Sequence, residues 1–174
     1  MCTTTAATIE ERPNHHREGY ESNKTVFGKI LQGKLPATIL YEDDRVICFK
    51  DIRPVSVHHT LVIPKQLIAD SNWLQPDDLS LVRHMMTVAK RVLSASFPDL
   101  HVEAAYLDGT ASLGFHRWPA LSVAHLHLHC IYPMPCSTWW YRWLHPQRYG
   151  IFYVSADSII KGLEAKQKGV ETER

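Results

Sequence analysis

Ser122-Val123-Ala124-His125-Leu126-His127-Leu128-His129-Cys130-Ile131 is the stretch that decides the architecture of this chain. Successive side chains of an extended strand point to opposite faces, so His125, His127 and His129 are expected on one surface and Leu126 and Leu128 on the other. Such a row of imidazoles admits three readings. It can be a chance cluster in a chain that holds 11 histidines. It can be a zinc site, because alternating histidines can share one ion. It can also be a site for nucleophilic catalysis at phosphorus, where an imidazole with pKa near neutrality attacks and later departs. That chemistry needs an acceptor for the nucleophile's second nitrogen and donors for the phosphoryl oxygens. Neighbours two residues before and after a nucleophilic histidine on such a strand can supply both.

The surrounding sequence reads as one domain. The strand is expected over Val123 to Tyr132, preceded by another over Val102 to Leu107, with a loop holding Gly109, Gly114 and Pro119 between them. Further upstream, Pro76-Asp77-Asp78 marks a helix start. The pairs Leu81/Val82, Met85/Met86, Val88/Ala89 and Val92/Leu93 then recur at helical spacing until Pro98, which makes this the one long helix. Ile39-Leu40-Tyr41 and Val46-Ile47-Cys48-Phe49 form a hairpin about the acidic turn Glu42 to Arg45, and Thr60-Leu61-Val62-Ile63 continues the sheet until Pro64. A short helix over Val26 to Leu31 closes at Gly33. Residues 1–23 are polar and aperiodic and read as a disordered lead-in. Residues 24–135 form the expected catalytic domain. Residues 136–174 form an aromatic-rich extension, with Trp139, Trp140, Tyr141, Trp143, Tyr149, Phe152 and Tyr153, ending in a helix that Ser155-Ala156-Asp157-Ser158 caps and that runs to about Lys166. The extension is expected to pack on the domain or on a dimer partner.

Composition narrows the function. Lys and Arg total 19 against 18 Asp and Glu, so no electrostatic case exists for nucleic acid or a membrane surface as partner, and a small ligand fits better. No run reaches the roughly 20 apolar residues of a membrane span, and the first residues do not read as a secretory signal. Cys2, Cys48, Cys130 and Cys136 are scattered and read as free, mostly buried thiols in a reducing compartment.

Two upstream segments favour the phosphorus chemistry over zinc: Asp51-Ile52-Arg53-Pro54 and His59-Thr60-Leu61-Val62-Ile63-Pro64-Lys65. Each alone would be weak. Together with Phe27-Gly28-Lys29-Ile30, Glu42-Asp43-Asp44-Arg45 and the histidine strand, in that order, they resemble the nucleotide-binding branch of the histidine-triad family, from about Val26 to Pro133. Gly114-Phe115-His116, Pro119 and Ser122, followed later by Ala156-Asp157-Ser158-Ile159-Ile160, look like a third animal branch of that family.

The resemblance implies an α+β histidine-triad fold: about five mainly antiparallel strands, one long helix and short flanking helices. It implies a hydrolase that cleaves the P–N bond of AMP-amine conjugates, and acyl adenylates, without a cofactor. His127 would be the nucleophile that becomes adenylylated, with His59 as the partner that orients this nucleophile, His129 the phosphate contact, His125 a structural member of the triad, and Ser122 a neighbour of the leaving group. Asp51 would hold the ribose, with Ile52 beside it, Leu128 within the site strand, and Val26, Phe27, Ile30 and Phe49 as an apolar slot for the base. Those apolar side chains read equally well as ordinary core. Relatives often carry a cysteine pair for structural zinc where this chain has Thr25 and Gly28, so no metal is expected. A purine-nucleotide ligand, a homodimer, and a location in the cytoplasm and nucleus complete the expectation. A regulatory nucleotide-binding module with weak catalysis and a dinucleoside polyphosphate hydrolase stand as alternatives.

Overall fold

Thr25 sets the first helix. In the computed structural model, which describes residues 23–117, 122–134 and 153–172, its hydroxyl accepts from Gly28 N at 3.0 Å and opens α1 (Val26–Leu31). The helix ends at Gln32, and Gly33 takes φ 70°, a left-handed turn that glycine adopts without a Cβ penalty. One and a half turns do not persist alone in water. Burial of Phe27, Ile30 and Leu31, at about 1.5–3 kcal/mol for each fully buried side chain, holds α1 against the sheet.

The acidic turn is built by one carboxylate. Asp43 Oδ1 accepts from Arg45 N and Val46 N, both at 2.8 Å, and joins β1 (Ile39–Glu42) to β2 (Val46–Lys50). Burial raises the Asp43 pKa, but these backbone donors, with His84 and Tyr41, overcome it and bring the carboxyl down to about 2. β3 (His58–Pro64) follows and is buried throughout. Pro76 opens a single 3-10 turn that feeds α2 (Leu79–Ser96), whose buried face contains Leu81, Val82, Met85, Val88, Ala89, Val92 and Leu93, as the periodicity predicts.

Beyond α2 the structure departs from the sequence reading in several places. Val102–Leu107 is a helix, α3, not a strand. Glu103, Ala104 and Ala105 are good helix formers, and Lys90 Nζ of α2 pairs with Glu103 Oε2 at 2.8 Å. The strand lies later, at β4 (Ser112–His116), inside the expected loop. The histidine strand is also shorter than expected: only Leu128–Tyr132 pairs, as β5. Ahead of it the chain bends, with His125 N donating to Val123 O at 2.9 Å and Leu126 N to Ile68 O at 2.6 Å.

A further strand, β6 (Tyr153–Ser155), pairs with β4 and leads into α4 (Ala156–Thr172). Ser155 Oγ accepts from Ser158 N at 3.2 Å, which is the expected cap, though the helix runs past Lys166. The sheet has six strands where about five were expected, in the order β1-β2-β3-β5-β4-β6, antiparallel at each described pairing as expected.

Alternation along the strands makes two apolar layers. Val46, Cys48, Val62, Leu113, Phe115, Leu128 and Cys130 face α2 and α4. Ile47, Phe49, Leu61 and Ile63 face α1. Burial pushes the Cys48 and Cys130 thiols up to about 12, and both are free. Cys2, Cys136, the lead-in before Asn23 and the aromatic stretch from Trp139 to Phe152 lie outside the described residues.

Candidate active site

On the α1 side of the sheet, β3 and β5 bring two histidines together by register. His59 pairs with Ile131 and Leu61 with His129, so the two imidazoles share one face as diagonal neighbours. Their protons follow from the backbone. Val55 N–H donates to His59 Nδ1 at 3.3 Å, so neutral His59 carries its proton on Nε2. That nitrogen lies 2.9 Å from His129 Nδ1 and 3.5 Å from Asp51 Oδ2, so His59 orients the phosphate contact His129 and not, as expected, the nucleophile His127. His129 Nδ1 is thereby an acceptor, and its own proton sits on Nε2, where it can donate to a phosphoryl oxygen.

His127 has the opposite tautomer. Its Nδ1 lies 2.7 Å from His125 O, which can only accept, so the proton is on Nδ1 and the Nε2 lone pair is left for attack. Among the described residues no hydrogen bond to that Nε2 is formed. The ring stands edge-on to Phe27, centroids 5.1 Å apart, and 4.9 Å from His129. Burial lowers the pKa of His127, against the His125 carbonyl and the Asp51 charge, which raise it. Burial likewise lowers His125 and His59. At neutral pH these imidazoles are neutral bases and donors, as attack on phosphorus requires.

The expected site residues divide by geometry. His59, His125, His127, His129, Asp51 and Phe27 come together. Ile30 and Phe49 belong to the buried layer with Phe27, and the two phenyl rings lie 5.7 Å apart. Val26 and Ile52 are exposed, Ile52 to 93%. The Leu128 side chain is a correction: it is fully buried on the opposite face beneath α2, so only its backbone can serve a ligand on the triad side. Ser122 is exposed. The Asp51 carboxylate already accepts from Arg53 N at 2.7 Å through Oδ1.

Asn23 is not legible in the sequence as a site residue, and His116 is singled out there without a role. Asn23 sits in the supposed lead-in, yet it is 2% exposed and bonds His125. His116, on β4, stands edge-on to His129 with centroids 4.6 Å apart.

Asp51, His59 and His129 have ligand atoms within 4.8 Å of one another and so could converge on an ion. The hydrogen-bond polarity opposes it. A metal on His59 Nε2 would place the proton on Nδ1, donor against the Val55 N–H donor, whereas metal-bound histidines normally donate that proton to an acceptor.

An antiparallel sheet with a short capped helix over one face and alternate histidines gathered beneath that helix is the arrangement expected of a histidine-triad protein. A family model described as "Scavenger mRNA decapping enzyme C-term binding" matches residues 24–140, and the chain belongs to the histidine-triad (HIT) family. It is 35% identical over 167 residues to adenosine 5'-monophosphoramidase HINT3 of Xenopus tropicalis, covering 95% of this chain and 99% of that protein. It is 43% identical over 110 residues to the protein of the same name from Danio rerio, covering 62% of this chain and 64% of the other. Among solved structures it is similar to a HIT family hydrolase from Clostridium thermocellum, with TM-score 0.55 and 29% identity over 67% of this chain and 96% of that one.

Proposed function

We propose that this chain is an adenosine 5'-monophosphoramidase that hydrolyses the P–N bond of AMP-amine conjugates, and acyl adenylates, through an adenylylated His127. The observation that carries the reading is the 2.7 Å contact of His127 Nδ1 with His125 O, which turns a nucleophilic Nε2 outward beside the His129 donor. Relatives at 35% and 43% identity carry that activity in their names.

In the first step the Nε2 lone pair attacks the α-phosphorus and the P–N bond breaks. The amine departs with a proton taken from solvent. The ring, still protonated at Nδ1, becomes cationic, and the His125 carbonyl stabilises that charge. His129 Nε2–H donates to a phosphoryl oxygen. Water then attacks phosphorus and gives up a proton to solvent, the N–P bond breaks, and AMP leaves with His127 neutral again and still protonated at Nδ1. Asp51 binds the ribose hydroxyls, Val26 and Ile52 border the base, and Ser122 faces the leaving group. Homodimerisation and a cytoplasmic and nuclear location belong to the same proposal, supported by the family resemblance.

Trapping tests it. Denaturant quench during turnover, at alkaline pH where phosphoramidates survive, should leave one adenylyl group, found on the peptide containing His127. A group on His129 or His59 would overturn the assignment.

The pH profile follows from the protonation state. His127 must be neutral to attack, and burial holds its pKa below 6.5. We expect kcat/KM to be level above pH 6.5 and to fall on acidification below it. An acid limb centred above neutrality would contradict the buried neutral nucleophile.

A further inference from the structure

Asn23 immediately precedes α1, and each end of its amide is committed. Oδ1 accepts from Thr25 N at 3.1 Å and from Thr25 Oγ1 at 2.7 Å. Nδ2 lies 2.9 Å from His125 Nδ1. The two Thr25 donors fix which side of the amide is oxygen, so its NH2 faces the imidazole. An amide NH2 can only donate. His125 Nδ1 is therefore an acceptor, and the His125 proton resides on Nε2, where it is donated to Pro64 O at 2.8 Å. With both nitrogens satisfied by the neutral ring, no acceptor is left for a second proton.

The neighbours of Asn23 hold it in that role. Its backbone oxygen accepts from Gln32 Nε2 at 3.2 Å. A Cβ on Gly28 would overlap the Asn23 side chain, so glycine there lets α1 close against the amide. Phe27 of the same helix stands edge-on to both His125 and His127, at 6.1 and 5.1 Å. The first turn of α1, its cap and Asn23 thus brace the two residues that present the nucleophile.

We propose that Asn23 is a positioning residue for adenylyl transfer: it locks His125 as the neutral Nε2–H tautomer, and the carbonyl of the locked residue then holds the Nδ1 proton of His127. The inference rests on His127 being the nucleophile. Without the amide, His125 Nδ1 becomes a buried unsatisfied acceptor, which the ring can relieve only by protonating or turning. Either response moves the residue whose carbonyl orients His127.

The test is NMR of histidine-labelled full-length protein together with steady-state kinetics on an adenosine phosphoramidate. In the wild type at neutral pH, His125 should show Nε2–H and His127 Nδ1–H. Asn23→Asp places an acceptor at Nδ1, and His125 should become doubly protonated. Asn23→Leu leaves Nδ1 without a donor while Pro64 O still holds the Nε2 proton, so His125 should be partly doubly protonated or turned, seen as displaced ring-nitrogen resonances. Both variants should lose about tenfold or more in kcat, with KM changed less than about threefold. Wild-type His125 protonated on Nδ1 overturns the proposal, and that measurement decides even if neither variant folds. So does full kcat in either folded variant, or lost kcat with His125 ring-nitrogen resonances as in the wild type, which would mark a merely structural residue. An adenylyl group trapped away from His127, with the tautomers as expected, would instead strike the functional reading.

Discussion

His127→Ala should lower kcat for an adenosine phosphoramidate by at least about 10⁴-fold, because no other group takes over the attack once a covalent nucleophile is gone. The alternatives fail on geometry. His129 Nδ1 is engaged by His59 Nε2 at 2.9 Å, and its other nitrogen carries the proton, so it has no lone pair to offer phosphorus. His125 has both nitrogens bonded, to Asn23 and Pro64. His59 is bonded at Nδ1 by Val55 and donates from Nε2. The variant should still fold: losing the ring leaves the His125 carbonyl unpaired and a gap beside Phe27, together costing about 1–3 kcal/mol. AMP affinity should change by less than about tenfold, because ribose and base contacts do not use this ring. His129→Gln should lose less, about 10²–10³-fold, as expected when one donor to a developing oxyanion is removed. Residual His127→Ala turnover equal to that of His129→Gln would show that the two imidazoles share the nucleophile's work.

Elements whose signal is local were legible in the sequence. The α2 stripe recurs at helical spacing, and the β1–β2 hairpin carries its turn carboxylate, Asp43, within the loop. What was missed depends on distance. Ser112–His116 reads as loop because Gly114 interrupts it, yet the strand exists because β5 on one side and β6 on the other satisfy its backbone. Val102–Leu107 reads as strand from Val102, Tyr106 and Leu107, but two alanines and the Lys90 contact settle it as helix. In the site, Asp51, His59 and the triad are visible as residue types at fixed places. Their tautomers are not, because Val55 N, His125 O and Pro64 O have no side-chain code. Asn23 was invisible for the same reason at longer range: it is one polar residue beside a polar segment, and its partner lies 102 positions away.

Gly114→Ala should be strongly destabilising, because the added methyl has no room in the sheet. An ideal Cβ there would stand 2.5 Å from Val154 O and 2.6 Å from Tyr153 Cζ. Neither neighbour can yield cheaply. Val154 O belongs to the backbone of β6, whose residues pair with β4, and Tyr153 is 1% exposed with its hydroxyl 2.7 Å from Ser112 Oγ. Relief requires β6 to part from β4. Overpacking of about 1–3 kcal/mol and a lost buried hydrogen bond of about 1 kcal/mol sum to about 3 kcal/mol. For a chain of this size that is a fall in Tm of about 6–12 °C. Gly162→Ala in α4 has nothing within 4 Å of its new methyl and removes a helix-interior glycine, so it should stabilise by about 0.5–1 kcal/mol. Thermal unfolding of the two variants side by side separates crowding from propensity, since the same methyl is expected to act with opposite sign. The Gly114 variant should also lose activity beyond its unfolded fraction, because Gly114 is the register partner of His129 and a shift in β4 moves the phosphate donor. Equal Tm values for Gly114→Ala and the wild type would mean that β6 does not lie against β4 as closely as this packing requires.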